Sequence, residues 1–283
     1  MKKILIPVDF SVECEYALKA GASIAKKTSC EIILLHLLDL PEGVVDPTNY
    51  GNTNNSPTTL LYMKRAQEKF EALVNESYFD GINITKSVLF QNTHEGILEE
   101  SSKQDIDLII MGSKGSEGFS EILVGSNTEK VVRSSDIPVL VIKNEVEDFK
   151  VENIVFTSDF KLKNKLNFPK VVDFAKIFGA QIHLLKVVTA SEFESTSKTK
   201  QRFKKFRKGF EDVDVKEHIY NDRSIERGIL RFSEKKKMDI IILNTTGWRG
   251  VRQFFNGSIS KGVSNHASLP VMTIRRPDTI KNE

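Results

Sequence analysis

The sequence predicts an α/β protein built from two tandem parallel sheets, each of five strands and each covered by helices on both faces. Three observations carry that reading. The chain repeats itself, each repeat alternates short apolar runs with longer amphipathic ones, and 283 residues suffice for two domains with real cores. Lys3-Ile-Leu-Ile-Pro-Val-Asp9-Phe10 returns 150 residues later as Asn153-Ile-Val-Phe-Thr-Ser-Asp159-Phe160, and Glu31-Ile-Ile-Leu-Leu-His36-Leu37 returns at the same shift as Gln181-Ile-His-Leu-Leu-Lys186-Val187. Further on the shift falls to 132: Ile106-Asp-Leu-Ile-Ile-Met111-Gly112 matches Met238-Asp-Ile-Ile-Ile-Leu243-Asn244, and Ile137-Pro-Val-Leu-Val-Ile matches Leu269-Pro-Val-Met-Thr-Ile. The second copy is therefore 18 residues shorter, and the stretch Pro41 to Thr59, rich in Pro, Asn, Thr and Gly, is expected to be a long loop of the first copy. A period this large means duplicated domains rather than a solenoid. The domains are placed at 1–145 and 151–277.

Each copy follows the order β-α-β-α-β-α-β-α-β. In the first, the β-branched apolar runs predict strands at about 3–9, 31–38, 84–90, 107–111 and 138–142. Ser11 is a good N-cap, and the helix after it puts Cys14, Ala17, Leu18, Gly21 and Ala25 on one stripe facing the sheet. Helices at 60–78 and 94–103 fill the next crossovers, and another opens near Gly125. The second copy repeats the pattern with strands near 153–157, 181–188, 214–220, 239–243 and 270–275, and helices at 163–177, 196–210, 223–235 and 257–266.

Bulk properties exclude several classes. Charged residues are 28% of the chain but nearly cancel, at a net +3, which is the balance of an ordinary protein rather than a polyanion binder. The two cysteines, Cys14 and Cys30, form no ligand-like pair and no disulfide framework, which fits a reducing cytoplasm. The N-terminal apolar run is too short for a signal segment and stops at an acidic residue, and the longest apolar stretches are strand-sized, so neither a targeting sequence nor a membrane span is expected.

In such sheets ligands sit beyond the carboxyl ends of the strands, where the strand order reverses, so residues after strands one and four draw attention. After strand four the first copy reads Met111-Gly112-Ser113-Lys114-Gly115, nine residues, then Gly125-Ser126-Asn127-Thr128 opening a helix: the spacing G-x-x-G-x9-G-S. Glycines let backbone N–H groups approach an anion, and a helix N-terminus offers unpaired N–H groups and a positive dipole end. The hydroxyls of Ser126 and Thr128 are expected to add donors, so the motif would cradle a polyphosphate. Against this stands the plain reading of glycines after a strand as a tight turn.

The Pro-Val-Asp-Phe-Ser start at Pro7, the Leu-Leu-His-Leu second strand, the Met-Gly-Ser-x-Gly turn, the Gly-Ser-x-Thr helix start and the Pro-Val-Leu-Val ending resemble the universal stress protein family across both halves. The resemblance implies a Rossmann-like fold of strand order 3-2-1-4-5, of the adenine nucleotide alpha hydrolase type. It also implies ATP, with Mg as a companion, as ligand. By the same analogy Pro7, Val8 and Asp9 border the ligand, with Asp9 on the ribose or adenine. The Leu37 backbone meets the adenine edge, and Met111 lines the base pocket. Phosphates meet Gly112, Lys114, Gly115, Gly125, Ser126, Asn127 and Thr128. Lys114 and Asn127 fill variable slots of the motif. Asp9 has an alternative role, capping the next helix. In relatives the last strands pair across a dimer interface, so Val139 to Ile142 and Val271 to Ile274 are expected to join the copies as an internal pseudo-dimer, with room for further homo-oligomers.

The second copy keeps the spacing as Asn244-Thr-Thr-Gly247, nine residues, Gly257-Ser258, but Asn244 replaces the first glycine and Trp248 and Arg249 follow the turn. Its motif reads as degenerate. The basic run Lys198 to Lys208 carries Phe203, Phe206 and Phe210 at helical spacing, which reads as a helix docked by its Phe face with a solvated basic face, rather than a nucleic-acid surface. His36 and His183 lie within strands and read as packed, and no histidine pair or cysteine cluster suggests a metal site. No nucleophile elbow and no Walker-type loop occurs, so an efficient phosphoryl-transfer enzyme is not indicated. The functional expectation is a cytoplasmic stress-response protein with ATP as regulatory ligand. The rival is a scaffold that has lost nucleotide and binds a protein or lipid in its grooves.

Overall fold

Ten runs of Val, Ile and Leu, each too short for a helix with a buried stripe, form strands, and the amphipathic stretches between them form the crossovers. The computed structural model describes residues 1–38, 57–113, 125–145, 148–245 and 269–275. The segment Pro41 to Ser56, Lys114, Gly115, the expected helix 257–266, and Gly247, Trp248 and Arg249 lie outside them. In the first half the strands are β1 (Lys3–Pro7), β2 (Glu31–Leu38), β3 (Ile84–Phe90), β4 (Leu108–Gly112) and β5 (Val139–Ile142). The second half has β6 (Asn153–Thr157), β7 (Gln181–Val188), β8 (Val215–Asn221), β9 (Ile240–Thr245) and β10 (Val271–Arg275). Helices α1 (Val12–Thr28), α2 (Pro57–Val74), α3 (Thr93–Lys103) and α4 (Ser126–Ser134) serve the first half; α5 (Phe168–Phe178), α6 (Thr196–Arg207) and α7 (Ile225–Lys235) serve the second.

The two expected sheets are one. The strand order is β3-β2-β1-β4-β5-β10-β9-β6-β7-β8, so each half has the order 3-2-1-4-5 with parallel neighbours, and the halves meet where β5 and β10 pair antiparallel, Val141 opposite Val271 and Leu140 opposite Met272. The pairing gives β5 and β10 each a second neighbour, so neither presents an open edge. Their side chains are central to the core: Leu140, Val141, Ile142, Val271 and Ile274 are fully buried, and each such side chain stabilises by about 1.5–3 kcal/mol relative to exposure. On one face of the sheet a single apolar core runs through both halves, from Ile4, Leu18 and Phe70 to Phe156, Phe168 and Phe206. Phe149, in the connection between the halves, stacks edge-on against Phe178 of α5. The opposite face carries a separate core in each half, under α3 and α4 around Ile109 and under α7 around Ile241.

Two local departures bear on the site. Strand β1 stops at Pro7, two residues earlier than expected, and Phe10 takes a left-handed conformation (φ 61°) that turns the chain into α1. Phe160 does the same in the second half (φ 53°), but there the expected helix from 163 begins as a 3-10 turn over Leu162–Asn167 and becomes α-helical only at Phe168. The cause is a side chain from β9, described below.

Candidate functional site

The strand order reverses between β1 and β4, and the crevice at their carboxyl ends is bordered by the start of α1, the end of β2 and the start of α4. Most of the predicted residues come together at this edge. Some of them are free to meet a ligand and some are occupied in holding the edge itself.

Asp9 follows β1 directly. Its Oδ1 accepts hydrogen bonds from the Ser11 N–H (3.0 Å) and hydroxyl (2.6 Å), and the Ser11 hydroxyl in turn accepts from the Cys14 N–H (3.2 Å) as the N-cap of α1. The capping role weighed for Asp9 is therefore real, though its side chain remains exposed at the crevice. Pro7 and Val8 are structural. The Val8 N–H bonds the Leu35 carbonyl (2.8 Å), and the Val8 carbonyl accepts from His36 Nδ1 (2.6 Å), which fixes the tautomer of that ring. His36 packs against Phe10, and Phe10 against Phe70, so the turn is clamped from below by aromatic contacts. Under it the Cys14 thiol is pushed up to about 12, by burial first and by the Asp9 carboxylate second, which leaves it protonated and unreactive.

The end of β2 outruns β1. The ladder between them closes at Pro7 opposite Leu35, with the one further bond from Val8. A strand residue turns its N–H and C=O to the same side, alternating along the chain, so Leu37, two beyond Leu35, directs its pair toward the gap where β1 has ended. Among the described residues that pair has no partner, so a donor and an acceptor stand side by side, the pattern a purine edge needs. The Leu37 side chain packs toward α3, where a Cβ on Gly96 would lie 2.6 Å from it.

The motif after β4 divides in two. Gly112 is required by packing: a Cβ there would meet the backbone of α1, 2.6 Å from the Glu13 carbonyl oxygen and 3.1 Å from the Cys14 nitrogen. The glycine lets α1 close on the sheet, and its carbonyl accepts the Thr128 hydroxyl (3.1 Å), so that hydroxyl points inward and corrects the expectation of a phosphate donor. Met111 is buried beside Leu5, Leu35 and Ile109 in the core under α3 and α4. Gly125 has an ordinary backbone (φ −53°, ψ 146°), and its N–H is held by the Ser113 carbonyl (2.6 Å), whose own N–H bonds the Ile142 carbonyl of β5 (2.9 Å). Ser113 was missed because its contribution is entirely main-chain.

What remains open is the end of α4. Gly125 provides no side-chain cap, and the N–H groups of Ser126, Asn127 and Thr128 have no partner among the described residues. With the helix dipole behind them, their chemistry suits an anion at the reversal point of the sheet. Lys114 and Gly115, the other expected phosphate contacts, lie outside the described residues. No cluster of three or more His, Cys, Asp or Glu suited to a metal occurs among the described residues, and no helix among them is long and apolar enough to cross a membrane.

In the second half the matching position is filled. The Asn244 Oδ1 accepts from Asn167 Nδ2 (2.8 Å), and its Nδ2 donates to the Asn164 carbonyl (2.9 Å). Asn164 then donates to Asp159 (2.6 Å), which also takes the Lys161 N–H (2.9 Å). Burial raises the Asp159 pKa, but these hydrogen bonds and the Lys161 charge outweigh it and hold the carboxyl below its usual range. A side chain where Gly112 has none thus props the chain after β6 open into a 3-10 turn, which accounts for the late start of α5. Asn164 and Asn167 occur at Cys14 and Ala17 plus 150, and two asparagines on an otherwise apolar stripe were the available signal.

Comparison with known proteins agrees with this architecture. A model of the Universal stress protein family matches residues 1–143 and 151–275. Universal stress protein MJ0577 of Methanocaldococcus jannaschii is 32% identical over 155 residues, 51% of this chain and 96% of that protein. Universal stress protein Slr1230 of Synechocystis is 22% identical over 292 residues, covering 97% of this chain and 100% of its own. The crystal structure of a universal stress protein from Archaeoglobus fulgidus covers 98% of this chain and 97% of its own with a TM-score of 0.71 at 22% identity, a likeness of fold. Matched through both of its halves, the chain belongs to the Universal stress protein family.

Proposed function

We propose that this protein is a cytoplasmic stress-response protein that binds ATP in its first half as a regulatory ligand, with at most slow hydrolysis. The observation that carries the reading is the N-terminus of α4 at the carboxyl edge where the strand order reverses, with three N–H groups that have no partner among the described residues and suit phosphate. The free main-chain pair of Leu37 suits the adenine edge, and the exposed Asp9 carboxylate suits a ribose hydroxyl. Mg would ride on the phosphates, since a cation of this kind is held by one or two carboxylates plus substrate oxygens. Binding without efficient turnover is favoured because, among the described residues, the Thr128 hydroxyl is committed to the Gly112 carbonyl and the Asp9 carboxylate to Ser11. The filled position at Asn244 supports a stoichiometry of one nucleotide per chain, and the β5–β10 pairing supports an internal pseudo-dimer. Native mass spectrometry of protein purified without added nucleotide, followed by titration with ATP, tests the proposal. One ATP per chain is expected; no binding even after addition defeats it in favour of a nucleotide-free scaffold.

A further inference from the structure

The second half has a groove of its own, away from the filled Asn244 position, at the carboxyl ends of β7 and β8. It encloses about 580 Å³, within the range of roughly 300–1,000 Å³ typical of small-ligand sites, and Thr189, Phe193, Asp222, Arg223, Arg227 and Arg231 contribute to its wall. We propose that it binds a small phosphomonoester carrying a flat ring. This is independent of the reading of the first half.

The charge is organised around one buried carboxylate. The Asp222 side chain is 5% exposed; its Oδ1 accepts from the Arg223 N–H (2.6 Å) and lies 3.4 Å from Arg227 Nε, and its Oδ2 lies 3.6 Å from Arg231 Nη1. Asp222 therefore orients two guanidinium groups one helical turn apart on α7, each with N–H groups left over for a ligand. Arg223, exposed beside them, has no carboxylate partner among the described residues. Three guanidinium groups against one carboxylate leave two positive charges, which match a phosphomonoester, about −1.5 to −2 at neutral pH, better than a monocarboxylate. Phe193 lines the groove 82% exposed, with no ring contact among the described residues, and supplies a stacking surface.

The first half serves as an internal control. Gly96 of α3 and Gly228 of α7 are matched by their packing: a Cβ on either would lie 2.6 Å from the side chain of Leu37 or Val187, themselves a pair in the repeat. That register places Glu95 and Glu99 where the second half has Arg227 and Arg231. The same two helix positions carry opposite charge, so the arginines are a property of the second copy and not of the fold.

The test is titration calorimetry of the full chain with phenyl phosphate, comparing Arg223→Gln, Phe193→Ala and Gly125→Val. Both groove side chains are exposed, so their variants should keep the parent melting temperature. One equivalent is expected in the groove, weakened about tenfold by Arg223→Gln and about threefold or more by Phe193→Ala. Benzoate should bind about tenfold more weakly than phenyl phosphate, and inorganic phosphate more weakly too. Absence of saturable binding overturns the proposal. So does binding that both groove variants leave intact; if Gly125→Val abolishes that binding, the ligand sits in the first half and the ATP reading stands. Equal affinity for benzoate would refute the dianion, and equal affinity for inorganic phosphate the ring.

Discussion

Replacing Gly112 by alanine separates two roles that a glycine after a strand can have. The added Cβ would stand 2.6 Å from the Glu13 carbonyl oxygen, 2.7 Å from the Glu13 carbonyl carbon and 3.1 Å from the Cys14 nitrogen. Comfortable contact between heavy atoms lies at about 3.5–4.0 Å, so the overlap approaches 1 Å, and it is with backbone that no rotamer change can clear. Helix α1 must retreat from β4 as a unit, and its buried face, Cys14, Ala17, Leu18 and Gly21 among others, retreats with it. Overpacking of this kind costs about 1–3 kcal/mol, and for a chain of this size each kcal/mol lowers the melting temperature by about 2–4 °C. Gly21→Ala is the comparison: its Cβ would meet the tip of Ile6 at 2.4 Å, a side chain that can turn aside, so the loss should be smaller. Thermal and denaturant unfolding of both variants, with ATP titration of each, checks this. Gly112→Ala with parent stability would refute the packing argument, and if it also lost ATP, the glycine would be serving the phosphate instead.

Four further outcomes follow from the same geometry. Asn244→Gly removes a hub from the buried pair Asn164 and Asn167, so it should destabilise by about 1–3 kcal/mol in denaturant unfolding, and calorimetry should register no second ATP site. Asp9→Ala should cost about 1 kcal/mol through the start of α1 and weaken ATP about tenfold, while Asp9→Asn, which can still accept from Ser11, should recover the stability. Valine at Gly125, the N-cap beside the open N–H groups, should weaken ATP about tenfold or more with little loss of stability, since its φ suits any residue. In β7 and β8, His183 and His218 share a hydrogen bond (3.0 Å); burial, then the neighbouring His218, lowers His183 to about 4, and burial lowers His218 as well. Unfolded imidazoles near 6.5 take up protons that the folded pair refuses, so stability should be complete above about pH 6.5 and fall by about 1–2 kcal/mol by pH 5. His183→Gln should flatten that slope in denaturant midpoints measured at pH 7 and 5.

The repeat and the strand alternation made the fold legible, because period-2 and period-3.6 patterns are local and survive in one sequence. That Val139 to Ile142 and Val271 to Ile274 would meet came from the family resemblance and not from the local pattern, because merging of the sheets depends on edge pairing that no single copy encodes. Local patterns could not tell that Asn244 would reshape a helix start 80 residues earlier, because that contact exists only after folding. At the candidate site, the spacing placed a helix start near Gly125, and α4 begins at Ser126. The spacing could not say which way the Thr128 hydroxyl points, that Gly112 answers to α1, or that Met111 falls on the buried side of β4. Each is decided by a neighbour distant in sequence.

Antiparallel pairing at a single junction has a directional effect. Strands of the two halves run oppositely, so their carboxyl edges face opposite rims of the same sheet. On the two proposals above, nucleotide at α4 would be read from one rim and a ligand in the arginine groove from the other. Ser113 ties the Gly125 N–H to Ile142, the last residue of β5, through main-chain bonds alone, so the start of α4 is anchored to the seam strand. The shared sheet thus offers two separately addressable rims.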